Sequence, residues 1–132
     1  MDNNLTFELQ VENICKKLYS SLFVVKSLAR FCEASLLISV YHALIMSHIT
    51  YRIIVWSCCN NSSLEKVFRL QKRAIRYIFK LKGVESCRPF FLKHQLMTSP
   101  LMVVFKYVKH YLSLLKNSNV TLHQHNTRYA KK

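Results

Sequence analysis

Apolar side chains recur along this chain at intervals of three and four residues rather than two, and that period sorts it into helices. Ile14, Leu18, Leu22, Val25 and Ala29 form one stripe, with Lys16, Lys17, Ser20 and Lys26 elsewhere on the cylinder. The spacing predicts an amphipathic first helix from about Leu9 to about Arg30. A second helix is predicted from about Ala34 to Ser57. Its segment ASLLISVYHALIMSHITY runs 18 residues without Asp, Glu, Lys or Arg, as expected of a central helix that partners cover on most sides. That length would admit a membrane span. Three serines, two histidines and a threonine, with Glu33 and Arg52 at the ends, erode the insertion gain from Leu and Ile. A central bundle helix is therefore expected, with His42 and His48 at the edge of the core.

A third helix is predicted over about 64–82. Ser62-x-x-Glu65 has the spacing of a capping box, and Gly83 lies just past the last apolar position, where a left-handed cap favours glycine. VESCRP then reads as a loop and PFFLKHQL as a brief helix. Thr98 or Ser99 is placed to cap a last helix of about 100–116, with Pro100 at its first position. That helix is expected to turn Leu101, Val104, Phe105, Val108, Leu112 and Leu115 inward. Residues 117–132 are polar and read as a loose tail. One glycine and two prolines leave little turn chemistry for strands. The expected fold is all-α: a small bundle of four main helices plus a short one over residues 1–116, followed by the tail.

Charge changes the picture. Of a formal +14, residues 1–59 contribute five bases against four acids, and residues 60–132 contribute 15 bases against two, Glu65 and Glu85. Such asymmetry points to a polyanionic partner, either nucleic acid or an anionic membrane surface. On a helical wheel Lys66, Arg69, Arg73, Arg76 and Lys80 fall within an arc of about 80°. Leu64, Val67, Gln71, Ile75 and Ile78 gather opposite, and Lys72 and Lys82 lie off the strip. No acid is expected to interleave the strip and relieve its repulsion. A line of phosphates would relieve it, releasing counterions and giving salt-sensitive, sequence-independent binding. The candidate contacts are Lys66, Arg69, Lys72, Arg73, Arg76 and Lys80.

Other chemistry is sparse. With one glycine there is no Gly-rich phosphate loop, and the six carboxylates include one pair at helical spacing, Glu8 and Glu12, near an end expected to fray. His123-x-His125 lies in the tail, and Cys87 and His94 lack a second pair of metal ligands. No metal, cofactor or small-molecule substrate is expected. Five cysteines, an odd number without a Cys-x-x-Cys pair, and a start lacking a signal pattern read as reduced thiols in an intracellular, non-secreted chain.

Several fragments also line up in order. They are Tyr41-x-x-Leu44, Ser47-His48-Ile49-x-Tyr51 and Trp56, then Leu70-Gln71-Lys72-Arg73-Ala74-Ile75-Arg76, Pro89-Phe90-Phe91 and Asn126-Thr127-Arg128. Together they resemble the region just after the catalytic core in reverse transcriptases of non-LTR retrotransposons, particularly the jockey-like RNA-directed DNA polymerases, over roughly Val11 to Arg128. The resemblance implies a helical thumb and linker that grip template and primer (RNA–DNA hybrid, RNA or DNA) without carrying the palm's aspartates, so no catalysis by this chain alone. It points to the run from Gln71 to Arg76. Two departures stand out: Arg52 occupies a position where the family commonly has glycine, and MDNNLTFELQ reads as a new start in a truncated element. Such a fragment is expected to expose its apolar second helix and self-associate through it.

Overall fold

The computed structural model describes residues 3–51, 53–57 and 61–126, and these form helices joined by short loops, with no strand among them. Helix α1 spans Asn3–Leu28 and buries Val11, Ile14, Leu18, Leu22 and Val25, the stripe read from the sequence extended by one turn. Ala29, just past its end, is buried as well.

The second segment departs from a single long helix. It forms α2 (Ala34–Val40), a π-helical turn over Tyr41–Met46, α3 (Ser47–Thr50), a break, and α4 (Ile53–Ser57). Its buried residues explain the π turn. Leu37, Tyr41, Ile45, Ile49 and Ile53 recur at every fourth position and all reach the core. On a regular α-helix that spacing drifts by about 40° per step, which would carry the stripe out of the core. The wider π turn subtracts that rotation and returns the residues to one face. Local hydrogen bonding accompanies it: the hydroxyls of Ser47 and Thr50 donate to the carbonyls of Ala43 (2.6 Å) and Met46 (2.7 Å), a pattern that bends helices. Tyr51 then turns extended, with ψ 116°. Arg52, Cys58 and Cys59 lie outside the described residues. His48 is half-buried as expected, whereas His42 is exposed, its ring edge-on to Tyr41.

Helix α5 runs Asn61–Phe79 and α6 runs Arg88–Lys93. Two expectations about the ends of α5 are corrected. The helix already includes Asn61 and Ser62, so Ser62 does not cap it. Its other end closes at Phe79, where Lys80, not Gly83, takes the left-handed conformation (φ 55°) and the Leu81 amide donates back to the Arg76 carbonyl at 3.0 Å. That bond from the second residue past the cap is the Schellman closure. Gly83 has no positive φ and no atom crowding it.

Helix α7 spans Ser99–Asn126, continuing well past the expected end at 116. The Met102 amide donates to the Thr98 carbonyl at 2.9 Å, which leaves Thr98 as the residue before the first turn. α7 corrects the sequence reading most. Leu101, Val104, Phe105, Val108, Leu112 and Leu115 do not face inward; each is 42–58% exposed, and the residues that pack inward are Ser99 and Met102. The second segment is central, as its apolar circumference predicts, and supplies much of the core: Leu37, Tyr41, Ile45, Ile49, Ile53 and Trp56 are all buried, so the apolar exposure expected of a fragment is not seen there.

α1 packs along α5 more extensively than any other helix pair. Cys15 lies beside Lys66, and the Lys26 ammonium sits 5.7 Å from the Tyr77 ring centre. Residue numbers thus rise together along the two helices, which run parallel, with α2 to α4 making the return.

Candidate nucleic-acid interface

The wheel reading of α5 holds in outline. Val67, Gln71, Ile75 and Ile78 are buried with Leu70 and Ala74, while Lys66, Arg69 and Arg73 are exposed and Lys72 and Arg76 half-buried. The cations do not form a free strip, however. They are one wall of a groove of about 790 Å³ whose other wall is α1. Six bases line it (Lys16 of α1 with Lys66, Arg69, Lys72, Arg73 and Arg76 of α5) against two acids, Glu8 and Glu12. Tyr19 completes the α1 side, half-exposed among the cations. From Lys66 to Arg76 the wall extends about 15 Å along the helix axis, the reach of about four phosphates of one strand.

A second, smaller cleft continues the line toward the C-terminal ends of both helices. Lys26 and Arg30 of α1 face Arg76, Tyr77 and Lys80 across it. Lys80 thus stays near the other cations although it has left the helix. Arg76 belongs to both clefts, and its Nε is buried without a hydrogen-bond partner among the described residues. A half-buried guanidinium with an unspent donor is costly unless an acceptor reaches it.

Three features fall outside the sequence reading. First, an acid does interleave the strip: Glu65 pairs with Arg69 at 3.7 Å across one helical turn. Both side chains are mostly exposed, so water screens the pair and it contributes little. Second, Glu8 and Glu12 sit within α1 and give the groove an acidic end. There burial pushes the Cys15 thiol up from its ordinary value, while nearby Lys66 pulls it down and Glu12 adds to the rise. Third, Lys72 lies with its ammonium 4.4 Å from the Phe68 ring centre, a cation–π contact at the groove's rim.

Gln71, at the head of the run that the resemblance singles out, cannot reach a ligand. It is fully buried, and its Nε2 donates to the Tyr41 hydroxyl (2.7 Å) and the Met97 carbonyl (2.7 Å). Its Oε1 accepts from the Ser99 amide (2.8 Å) and the Ser99 hydroxyl (2.7 Å). The side chain ties α5 to the π turn and to the start of α7, and it satisfies one of the amides that every helix start leaves free. Its polarity at an otherwise apolar wheel position was the sequence signal for such a role.

No three His, Cys, Asp or Glu side chains among the described residues converge as a metal site. No described helix is long and apolar enough to cross a membrane. Comparison with known proteins finds no matching family model, no similar curated protein and no similar solved structure.

Proposed function

We propose that this chain is a non-catalytic, intracellular nucleic-acid-binding module, derived from the thumb and linker of a non-LTR, jockey-like reverse transcriptase, that holds the sugar-phosphate backbone in the α1–α5 groove. The observation that carries the reading is Arg76. It stands half-buried where two cation-lined clefts meet, with a buried Nε that has no hydrogen-bond partner among the described residues. A phosphate oxygen meeting the accessible part of the guanidinium supplies the negative charge that the site lacks, and arginine suits phosphate geometry better than lysine does. The excess of six bases over two acids supports the same partner. Backbone contacts of this kind position a strand without reading its bases, so the expected binding is indifferent to sequence.

The test is fluorescence anisotropy of the purified chain with labelled RNA–DNA hybrid, duplex DNA and single-stranded RNA across a salt series. Saturable binding that weakens steeply with salt is expected, strongest on the hybrid. Replacing Arg69, Arg73 and Arg76 together by glutamine should lower affinity equally for all sequences and reduce the salt slope by about three. An unchanged slope in that variant would remove the groove from the proposal.

A further inference from the structure

The last helix carries a surface that the groove does not use. Among its described side chains, α7 meets the bundle over the first turns: Ser99 and Met102 are buried, Val103 and Lys106 half-buried, and the Tyr107 hydroxyl donates to the Ile54 carbonyl at 3.1 Å. At about 100° per residue those contacts occupy one side of the helix. Leu101, Val104, Phe105, Val108, Tyr111 and Leu112, all exposed, centre on the opposite side. Leu101, Phe105, Val108, Leu112 and Leu115 follow each other at four, three, four and three residues, the 3.5-residue period of a coiled-coil seam. In the sequence, Asn119 and Leu122 continue the same spacing.

We propose that this face pairs with the same face of a second copy as a parallel, two-stranded coiled coil. Area favours it. These side chains, each about half exposed, offer on the order of 700 Å² per copy, close to the roughly 800 Å² per partner of a stable interface. Charge sets the direction. The helix sequence contains no Asp or Glu, and Lys109 and Lys116 flank the seam on one side, with Val104 and Tyr111 on the other. Antiparallel pairing would bring the lysine flanks of both copies together. Parallel pairing lays each lysine flank on the other copy's Val104–Tyr111 flank, where apolar stems and an aromatic face receive it. The bundle sits on the far side of α7, so the two bodies lie outside the pair.

Two copies of a +14 chain repel, so salt should strengthen this pairing while it weakens binding in the groove. The two proposals therefore fail separately. Sedimentation equilibrium of the full chain, over a concentration series at low and high salt, is expected to show the mass doubling at lower concentration as salt rises. Val108→Glu and Leu112→Glu should keep the parent circular dichroism, because both positions face water in a single copy, yet remain monomeric. Leu112→Cys should form an interchain disulfide under mild oxidation that the parent does not form, since parallel pairing sets a seam residue opposite itself. A chain that stays monomeric at the highest concentration overturns the proposal, as does doubling that survives both glutamate variants. A dimer in which Leu112→Cys fails to cross-link overturns the parallel arrangement. Capture by anionic vesicles, lost in the glutamate variants and without any dimer, would assign the face to a lipid surface instead.

Discussion

Gln71 joins α5 to the π turn and to the start of α7 through four hydrogen bonds. Replacing it by leucine preserves volume but leaves the Tyr41 hydroxyl, the Met97 carbonyl and both Ser99 groups without the partner they now have. Buried groups stranded in this way cost about 1–3 kcal/mol each before relaxation. A net loss of about 3–5 kcal/mol is expected for Gln71→Leu, read by urea denaturation. Tyr41, bonded to it, carries a pH signature. Burial pushes its hydroxyl up to about 12, against a smaller lowering by the Gln71 hydrogen bond. The folded chain therefore holds this proton more tightly than the unfolded chain does. The associated stability is intact below the unfolded value near 10 and is lost as pH rises toward 12. About 2–3 kcal/mol is involved, and Tyr41→Phe should remove that part of the alkaline decline in denaturation midpoints.

Among the elements, α5 was the most legible and its ends the least. A strong 3.6-residue period with cations opposite apolar groups identifies its faces from sequence alone. Its ends are decided by backbone closures that the sequence misplaces. Ser62 and Glu65 have capping-box spacing, yet the helix begins before them, and Glu65 turns to Arg69. Gly83 has the right chemistry for a left-handed cap, but Lys80 occupies that conformation three residues earlier. A left-handed residue other than glycine costs about 1–2 kcal/mol. Lys80→Gly should therefore stabilise the chain by about 0.5–1 kcal/mol after the entropy that glycine gains when unfolded, visible as a higher urea midpoint. The π turn was equally illegible. Its sequence reads as generally apolar, and the four-residue spacing that requires it emerges only once the buried residues are known.

At the scale of the whole molecule, periodicity reveals which residues share a face but not whether another element covers that face. This is why α7 was read as turned inward, the reverse of what packing makes of it, whereas the second helix, apolar on most sides, was read correctly as central. The same blindness hid half the groove. The basic strip of α5 was visible, but Lys16, Tyr19 and the acids Glu8 and Glu12 join it only because α1 lies alongside. The acids supply a whole-molecule prediction. With Glu8 and Glu12 both replaced by glutamine, nucleic-acid affinity should rise several-fold at low salt and converge on the parent at high salt, as anisotropy titrations would show. The blocks that carry the family resemblance divide in a similar way. Tyr41, Ile49, Trp56 and Gln71 are interior packing and hydrogen bonding, whereas Arg73 and Arg76 border the groove.

The parallel course of α1 and α5 also sets a timetable for synthesis. α1 is made first, yet the helix it packs against most lies some fifty residues downstream, as the pairing of Cys15 with Lys66 shows. At about 5–20 residues per second, a ribosome needs roughly 3–10 seconds to supply it. Until then the stripe from Val11 to Val25 has only the segment from Ala34 to Ser57 to pack against. A chaperone that samples nascent chains would meet this protein at α1, and slowing translation between residues 30 and 60 would lengthen that encounter.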